Sequence, residues 1–288
     1  MQVLVTGSSG FIGRNLVNKL KDNYAITELN DSDGDICSSN YFEKLKGKQI
    51  SHIFHLAAKT YIPDSWENPY QFLCTNLMGT INTLEYCRNQ SITLTYFSAY
   101  IYGNQPLMPI SENVAAEPNN PYSFSKYMAE KVCEFYSREY SVRLTILRPF
   151  NVYGIGQASN WLIPTILNQC LDNNKKEISV QCLTPKRDYI YIDDLIEAAI
   201  RTIGYTKTKS INDEIVFNIG SGESFSVEQI IYIVQDILKI DKPIRTQGID
   251  RKNNITDTKA DISRAIKYLK WRPETSMENG LRNMIASW

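Results

Sequence analysis

Hydrophobic and polar residues alternate in two rhythms along the first half of the chain. Short apolar runs of the kind that form buried strands occur at 2–7, 24–30, 52–58, 93–103 and 144–154, with one more at 214–222. Stretches with a helical period lie between them, among them 11–22, 70–90 and 121–140. Strands and helices in this order predict a parallel sheet with helices on both of its faces.

The first predicted strand runs into a glycine-rich turn. The stretch "TGSSGFIG" places Gly7, Gly10 and Gly13 between this strand and the helix that begins at Phe11. Glycine is needed where a chain turns tightly or where its backbone approaches a phosphate, and the N–H groups at the start of a helix attract anions. Glycines at this spacing, between a predicted strand and a predicted helix, indicate a site for the pyrophosphate of a dinucleotide.

Together these patterns predict an α/β fold: a Rossmann-like, doubly wound parallel sheet with a smaller, discontinuous C-terminal lobe. The segment 155–187 and the chain after 222 do not follow the alternation of strand and helix. Ligands of open parallel sheets bind at the carboxyl ends of the strands. We therefore expect residues 1–154 and about 188–220 to form a dinucleotide-binding domain, and about 155–187 and 221–288 to form a substrate-binding lobe over those strand ends.

The composition is that of a soluble globular protein and narrows the class of partner. The chain is 43% hydrophobic and 22% charged, with 31 basic and 31 acidic residues, so no excess charge points to nucleic acid or to a membrane surface. No apolar run is long enough to span a bilayer, and because a strand is predicted directly after Met1, no signal peptide is expected. Six cysteines without a CxxC pair favour the reducing cytoplasm, and two histidines in a single predicted strand give a histidine-based metal site little support.

Three tyrosines precede a lysine by four residues, a spacing that places both side chains on one face of a helix. The three pairs are Tyr122 and Lys126, Tyr127 and Lys131, and Tyr205 and Lys209. The residues "NNP" before Tyr122 predict an asparagine cap with proline in the first turn, so Tyr122 lies in the opening turn of its helix. Tyr127 lies about 140° further round at roughly 100° per residue, so the two pairs cannot face one site. The segment around Tyr205 lacks apolar periodicity and is expected to be a solvated loop.

With the glycine loop and the tyrosine pairs, several further motifs resemble those of the extended short-chain dehydrogenase/reductases, the family of nucleotide-sugar epimerases, dehydratases and reductases. These motifs are "HLAA", "RPFNVYG" and "RDYIYIDD", and the resemblance continues to "TDTKADISRAIKYLKWRP" near the C-terminus. It implies an NAD(P)-dependent enzyme that acts on a nucleotide-diphosphate sugar and forms a homodimer. Tyr122 stands at the family distance from a strand-end hydroxyl, Ser98, so the resemblance implies Ser98, Tyr122 and Lys126 as the catalytic residues.

The chemistry of the phenol is consistent with this choice. A free phenol has a pKa of about 10, and a nearby ammonium, a serine hydrogen bond and the positive nicotinamide ring all favour its ionised form. Tyr122 is expected to exchange a proton with a sugar hydroxyl while hydride leaves or reaches the same carbon. The resemblance implies that Lys126 also binds the nicotinamide ribose.

NAD is the expected cofactor, with NADP as the alternative. An acidic residue about 20 positions beyond the loop normally holds the ribose hydroxyls in dinucleotide folds, and the alternation of "AITELN" places Asn30 there. Asparagine does not repel a 2′-phosphate, whereas Asp31 and Asp33 would, and no arginine occurs in "ELNDSDGD". Arg14, near the glycine loop, is a candidate for a contact with that phosphate.

The resemblance implies further contacts by position within the motifs. Around the dinucleotide these are Gly7, Gly10, Phe11, Ile12, Gly13, Asn30, Asp35, Ile36, Ala57, Lys59, Asn76 and Phe150, together with Tyr122 and Lys126. Around the substrate they are Ser98, Asn151, Arg187 and Arg251. The two arginines match a pair that holds the substrate diphosphate, a role for which the forked guanidinium is suited.

Three functions remain open and one is not expected. Family members that remove water across C5 and C6 carry an acidic pair directly after the strand-end hydroxyl, where this chain has Ala99 and Tyr100, so it is not expected to be a 4,6-dehydratase. The completeness of the motifs favours epimerisation at C4 through a transient 4-keto sugar. The short chain and Asn30 favour the alternative, an NAD(P)H-dependent 4-keto-sugar reductase. A non-catalytic nucleotide-binding regulator is the third reading, although it has no need of an intact Ser, Tyr and Lys set.

Overall fold

The computed structural model describes residues 1–210, 213, 215–248 and 255–288. Its strands are β1 (Gln2–Thr6), β2 (Ala25–Leu29), β3 (Ile50–His55), β4 (Thr93–Phe97), β5 (Leu144–Pro149), β6 (Asn151–Tyr153), β7 (Ile178–Val180), β8 (Lys186–Arg187), β9 (Tyr189–Tyr191), β10 (Val216–Ile219), β11 (Phe225–Ser226) and β12 (Ile244–Thr246). Its α-helices are α1 (Phe11–Leu20), α2 (Ile62–Glu67), α3 (Pro69–Leu73), α4 (Gly79–Gln90), α5 (Pro121–Tyr140), α6 (Leu162–Leu171), α7 (Ile192–Thr208), α8 (Val227–Leu238) and α9 (Met277–Ala286). A π-helical turn, Cys74–Met78, joins α3 to α4.

The six predicted strand segments supply the six strands of one parallel sheet. Its order is β2-β1-β3-β4-β5-β10, and each neighbouring pair is parallel. Because the chain first moves from β1 out to β2 and then returns to β3 on the other side of β1, the order reverses between β1 and β3. In doubly wound folds such a switch point is where the dinucleotide binds.

Helices cover both faces of this sheet. On one face, Leu16 and Leu20 of α1 and Leu195 of α7 belong to a buried cluster that also contains Val5 and Phe54 of the sheet. A second buried cluster on the other face contains apolar residues of α4, α5 and the strands, among them Leu84, Ala129, Cys133, Leu4, Ile53 and Leu94. The predicted Rossmann-like α/β fold is therefore confirmed.

Three small sheets hold the remaining strands outside the main sheet. They pair β6 with β9, β8 with β11, and β7 with β12. The last two join the segment 155–187 to the chain after 221, as expected for a discontinuous lobe. The proposed division into 1–154 with 188–220 and 155–187 with 221–288 remains a prediction.

Two of the predicted strands are too long. The segment 93–103 leaves the sheet after Phe97, since Ser98 N makes the last bond, to Leu147 O at 2.8 Å. The apolar residues beyond it pack on one another instead, as the ring contacts of Tyr100 and Tyr102 with Phe150 show. The segment 144–154 divides after β5, and its second part pairs with β9 in a separate sheet.

The prediction of a solvated loop around Tyr205 is wrong. Tyr205 lies in α7, and its ring meets that of Phe217 edge to face with centroids 5.3 Å apart. Lys209, the lysine of this pair, follows the helix and is 7% exposed. The last turns of α7 are mostly polar in sequence. The helix nevertheless extends through them, and the Tyr205 ring packs against Phe217 of the core.

Candidate functional site

The glycine loop between β1 and α1 packs closely on the chain that follows β3. Gly7 has a φ of +68°, and a Cβ there would lie 2.7 Å from Ala57 N, so this position requires glycine. A Cβ on Gly13 would lie 2.2 Å from Gly7 O, which also excludes a side chain. Gly10 caps α1 without a side-chain hydrogen bond, so the N–H groups of the first turn are open to an anion.

The first turn of α1 carries three further predicted residues. Phe11 and Ile12 are half-buried and pack against the core cluster beneath α1, which leaves their backbone to face the loop. Arg14 is exposed, and its Nη2 donates to Gly156 O at 3.0 Å. Its guanidinium is thus directed at the segment after β6 rather than at the end of β2.

Asn30 follows β2 directly, at the place expected for the ribose contact. Leu29 of β2 lies opposite Thr6 of β1, so Asn30 is beside the start of the glycine loop. Its Oδ1 accepts from Ser32 N at 2.9 Å, and its own N–H donates to Asp33 Oδ2 at 2.8 Å. The side chain therefore caps the short turn after β2 and can offer its amide nitrogen to a ribose hydroxyl.

The residues predicted to meet the adenine are placed by helix α4. Ile36 is buried, and a Cβ on Gly79 would lie 2.8 Å from its Cγ2, so the absence of a side chain at the start of α4 makes room for it. Asn82 Nδ2 donates to Ile36 O at 2.9 Å. Asp35 is exposed, and its Oδ1 accepts from Cys37 N at 2.9 Å.

Asn76 joins the chain after β3 to the start of α5. Its Oδ1 accepts from Lys59 N at 2.8 Å, and its Nδ2 donates to Lys59 O at 3.0 Å and to Ser125 Oγ at 2.8 Å. Ser125 Oγ in turn donates to Tyr122 O at 2.7 Å. Because the buried carboxamide is used in this way, Asn76 positions Lys59 and the first turn of α5, while the exposed Lys59 side chain is directed to solvent.

The structure places Lys126 against β4, on the side to which Ser98 points, and Tyr122 one turn before Lys126 on α5. Asn120 caps α5 with Pro121 in the first turn, as predicted. One turn after Tyr122, Lys126 is 3% exposed, and its Nζ lies 4.5 Å from the centroid of the Tyr96 ring. Tyr96 and Ser98 are two residues apart next to the end of β4, so their side chains point to the same side. Ser98 Oγ is buried and has no hydrogen-bond partner within the described residues.

Burial sets the protonation of this group. It lowers the pKa of Lys126 to about 7, with Cys133 and Glu130 acting in the opposite direction. It also raises the pKa of Tyr122, the opposite direction to the expected one. The protein alone therefore keeps the phenol protonated, because burial disfavours its ionised form. The positive charge of a bound oxidised nicotinamide would lower this pKa.

The competing pair, Tyr127 and Lys131, lies on the outer face of α5. Lys131 is exposed, and its Nζ lies 2.8 Å from Glu134 Oε2 and 5.4 Å from the ring centroid of Tyr127. This arrangement is an ordinary surface contact, which is consistent with the choice of Tyr122.

The predicted substrate residues lie around β8, β9 and the end of β5. Arg187 is half-buried, and its Nη1 donates to Ile255 O at 2.6 Å. Asn151 N and Nδ2 both donate to Asp188 O, at 3.0 and 3.1 Å. Phe150 is 4% exposed, and its ring packs on those of Tyr100 and Tyr102. Arg251 lies outside the described residues.

Asp188 is an organising residue that the sequence reasoning missed. Its buried carboxylate accepts from Ser221 N at 2.7 Å, Ser221 Oγ at 2.8 Å, Gly222 N at 3.0 Å and Ala260 N at 2.9 Å. Burial raises its pKa, while these hydrogen bonds lower it. Asp188 thereby fixes two distant segments, 221–222 and the chain at Ala260, next to Arg187. The sequence did offer a signal: Asp188 directly follows Arg187, the predicted diphosphate contact, and directly precedes a strand.

A buried ion pair below the lysine was also missed. Arg148 Nη2 lies 2.6 Å from Glu130 Oε2, and both side chains are buried. Glu130 stands one turn after Lys126 on α5, and Arg148 Nη1 also donates to Tyr102 Oη at 2.8 Å. The pair ties α5 to β5 and so fixes the helix that carries Tyr122 and Lys126, two of the predicted catalytic residues.

These residues fit a dinucleotide. The open start of α1 suits a pyrophosphate, the end of β2 carries an amide, and the buried Ser98 hydroxyl faces the same side as Lys126. Among the described residues, no group of three or more His, Cys, Asp or Glu side chains could hold a metal ion. In the same part of the chain, every helix is too short or too polar to cross a membrane.

Comparison with known proteins places the chain in a family. Residues 3–220 match the model of the NAD dependent epimerase/dehydratase family. The GDP-6-deoxy-D-mannose reductase of Pseudomonas aeruginosa is 25% identical, over 100% of this chain and 97% of the relative.

Two solved structures are also similar. RMD from Pseudomonas aeruginosa, complexed with NADPH, has a TM-score of 0.89 and 25% identity, and the match covers 100% of this chain and 98% of that one. The UDP-glucose 4-epimerase of Thermotoga maritima, solved with UDP-glucose, has a TM-score of 0.89 and 27% identity. This match covers 99% of this chain and 98% of that one. The resemblance seen in the motifs is therefore confirmed, and the chain belongs to the NAD dependent epimerase/dehydratase family.

Proposed function

We propose that this enzyme epimerises a nucleotide-diphosphate sugar at C4 through a transient 4-keto form and keeps NAD bound throughout. The observation that carries the proposal is the buried Ser98 hydroxyl, which has no partner within the described residues and shares its face of β4 with Lys126. A buried hydroxyl without a partner costs free energy unless a ligand satisfies it. A sugar hydroxyl beside Tyr122 does so.

The three residues divide the proton chemistry between them. Ser98 and Tyr122 hold the C4 hydroxyl, and Tyr122 takes its proton while the C4 hydrogen leaves with its electron pair. A dinucleotide held at the start of α1 and by Lys126 would supply the hydride acceptor for this step and the donor for the return step. Tyr122 gives the proton back to the oxygen when the hydrogen arrives on the opposite face of the sugar. Lys126, in its ammonium form, holds the ribose and favours the phenolate.

The residues after Ser98 do not support elimination. Ala99 is buried, and the hydroxyl of Tyr100 donates to Gly103 O at 2.6 Å. Neither residue has a carboxyl group to act as acid and base across C5 and C6. The 4-keto sugar is therefore reduced again and not dehydrated.

A nucleotide-diphosphate sugar is the substrate class that the anion-binding residues suit. Arg187 lies near Tyr100, whose pKa is raised by burial and lowered in part by the Arg187 charge. The guanidinium charge therefore acts on Tyr100, two residues after Ser98. This position suits the diphosphate of a sugar whose C4 reaches Ser98, and Arg251 remains the second predicted contact.

A 4-keto-sugar reductase is the second candidate. Asn30 favours it, because an amide where a carboxylate usually stands does not exclude a 2′-phosphate. The full-length similarity to a GDP-6-deoxy-D-mannose reductase and to RMD with NADPH points the same way. Ser98, Tyr122 and Lys126 would serve this reaction unchanged.

Identifying the dinucleotide that copurifies with the protein distinguishes the epimerase from the reductase. Absorbance and mass spectrometry of the denatured supernatant should identify NAD at close to one equivalent if the epimerase proposal is right. An empty protein that oxidises NADPH when given a 4-keto nucleotide sugar would replace it with the reductase.

We also propose that the enzyme is a homodimer through α5. Phe124 and Phe135 are exposed on this helix and are eleven residues apart, so they lie on nearly the same face. Exposed apolar side chains aligned in this way favour a protein interface. Light scattering of Phe124→Glu/Phe135→Glu, compared with the wild type, should show a change from two copies to one.

A further inference from the structure

A segment after β6 contacts both helix α1 and the loop that follows β3. This segment, residues 154–161, is called the strap here and joins β6 to α6. Near its start, Arg14 Nη2 donates to Gly156 O at 3.0 Å. At its end, the ring of Trp161 meets that of Tyr61 edge to face, with centroids 6.3 Å apart and planes at 77°.

The two attachment points lie on opposite sides of the switch point of the sheet. Arg14 is on α1, which follows β1, and Tyr61 is in the loop that follows β3. These strands are neighbours, and the dinucleotide of such folds lies in the crevice between them with its pyrophosphate at the start of α1. The strap therefore runs from one wall of this crevice to the other, past the glycine loop.

The geometry of the strap allows it to cross the crevice and to detach from it. Gly156 has a φ of +85°, which glycine adopts without strain, and its carbonyl faces Arg14. Gln157 Nε2 holds the turn by donating to Val152 O at 2.9 Å, while its Oε1 is buried without a partner among the described residues. Tyr61 and Trp161 are 37% and 40% exposed, so their contact is accessible to water and easily broken.

We propose that Arg14, Tyr61 and Trp161 act as a clasp that retains the dinucleotide by holding the strap across the crevice. An epimerase needs one dinucleotide through both hydride steps, whereas a reductase must exchange it after each turnover. The strength of the clasp thus sets which of the two reactions the site can sustain. This inference rests on the proposed function only because it requires a bound dinucleotide. It does not depend on which sugar the enzyme binds.

The direct test is the rate at which NADH leaves the protein. Bound NADH is chased with excess NAD, and the loss of its fluorescence is followed by stopped flow. Tyr61→Ala and Trp161→Ala should each release NADH about 3- to 10-fold faster, the range expected for loss of one edge-to-face ring contact. Association rates should stay within about twofold, since the two rings are assigned to the strap and not to the ligand.

Conservative and unrelated variants separate the clasp from general damage. Tyr61→Phe keeps the ring and should release NADH at the wild-type rate, and the double variant Tyr61→Ala/Trp161→Ala should be no faster than either single one. Trp66→Ala, on helix α2 next to Tyr61 and 58% exposed, is the control and should also match the wild type. Unchanged release in both alanine variants, or rates that multiply in the double variant, would overturn the clasp.

Arg14 has its own discriminating measurement. Arg14→Gln should speed the release of NADH and NADPH by the same factor, because the strap covers both. An effect confined to NADPH would assign Arg14 to the 2′-phosphate and remove it from the clasp. All these rates are measured without sugar, so a protein that fails to epimerise can still show the clasp. A protein that binds neither dinucleotide contradicts the clasp and the proposed function together.

Discussion

Replacing Lys126 by methionine should make the folded protein more stable while it removes turnover. The ammonium is 3% exposed, and burial lowers its pKa from an ordinary 10.5 to about 7. Between these values the unfolded chain binds more protons than the folded one, so stability rises with pH across this window. Since each pH unit of pKa difference corresponds to about 1.4 kcal/mol, the buried lysine costs the fold about 4 kcal/mol at pH 7.

Methionine has similar length, carries no charge and keeps the contact with the Tyr96 ring. Urea unfolding of Lys126→Met, followed by tryptophan fluorescence without ligand, should therefore show a gain of up to about 4 kcal/mol at pH 7. The gain should shrink by about 1.4 kcal/mol for each unit of pH up to 9.

The matched control is Lys131→Met, on the same helix. Lys131 is exposed and paired with Glu134, so its replacement should change stability by less than about 1 kcal/mol at every pH. A Lys126→Met protein no more stable than the wild type at pH 7, or a gain that does not depend on pH, would show that the ammonium is not buried as described.

Three further predictions concern the site. Tyr122→Phe should abolish nearly all turnover and leave dinucleotide affinity within a few-fold, since it removes only the oxygen that carries the proton. The control Tyr127→Phe should have almost no effect on turnover. A Tyr122→Phe protein that keeps a tenth of wild-type activity would contradict the assignment. Arg187→Ala should weaken nucleotide-sugar binding by about 1.5–3 kcal/mol in calorimetric titrations, and a loss confined to the dinucleotide would place Arg187 elsewhere. Asn30→Asp should shift the ratio of dissociation constants toward NAD by like-charge repulsion of the 2′-phosphate; an unchanged ratio in an enzyme that already prefers NADP would show that Asn30 does not face the ribose.

The main sheet and the glycine loop could be predicted because their causes are local. A buried parallel strand needs a short apolar run, and the turn after β1 needs glycine wherever the backbone of Ala57 comes too close for a side chain. The opening turn of α5 was likewise predictable from Asn120 and Pro121, which supply a cap and a fixed backbone angle. These signals require no knowledge of what the rest of the chain does.

Other features depend on residues that only the fold brings together. Asp188 organises its surroundings through Ser221 and Ala260, which are 33 and 72 positions away. The end of β4 at Phe97 was not predictable, because the aromatic residues beyond it are buried by Phe150 and not by the sheet. The direction of the Tyr122 pKa was missed for a related reason: spacing shows the lysine one turn away, but not the burial that raises the pKa of the phenol.

The claim that the site performs reversible oxidation at C4 is tested most directly by the fate of the hydrogen on that carbon. UDP- and GDP-hexoses that carry deuterium at C4 are incubated with the purified enzyme, without added dinucleotide, and the products are analysed by NMR and mass spectrometry. Hydride transfer to a retained NAD and back should give a C4 epimer that keeps its deuterium, with no product from Tyr122→Phe. An epimer that has exchanged deuterium for solvent hydrogen, or a Tyr122→Phe protein that still forms it, would contradict hydride transfer and return at this site.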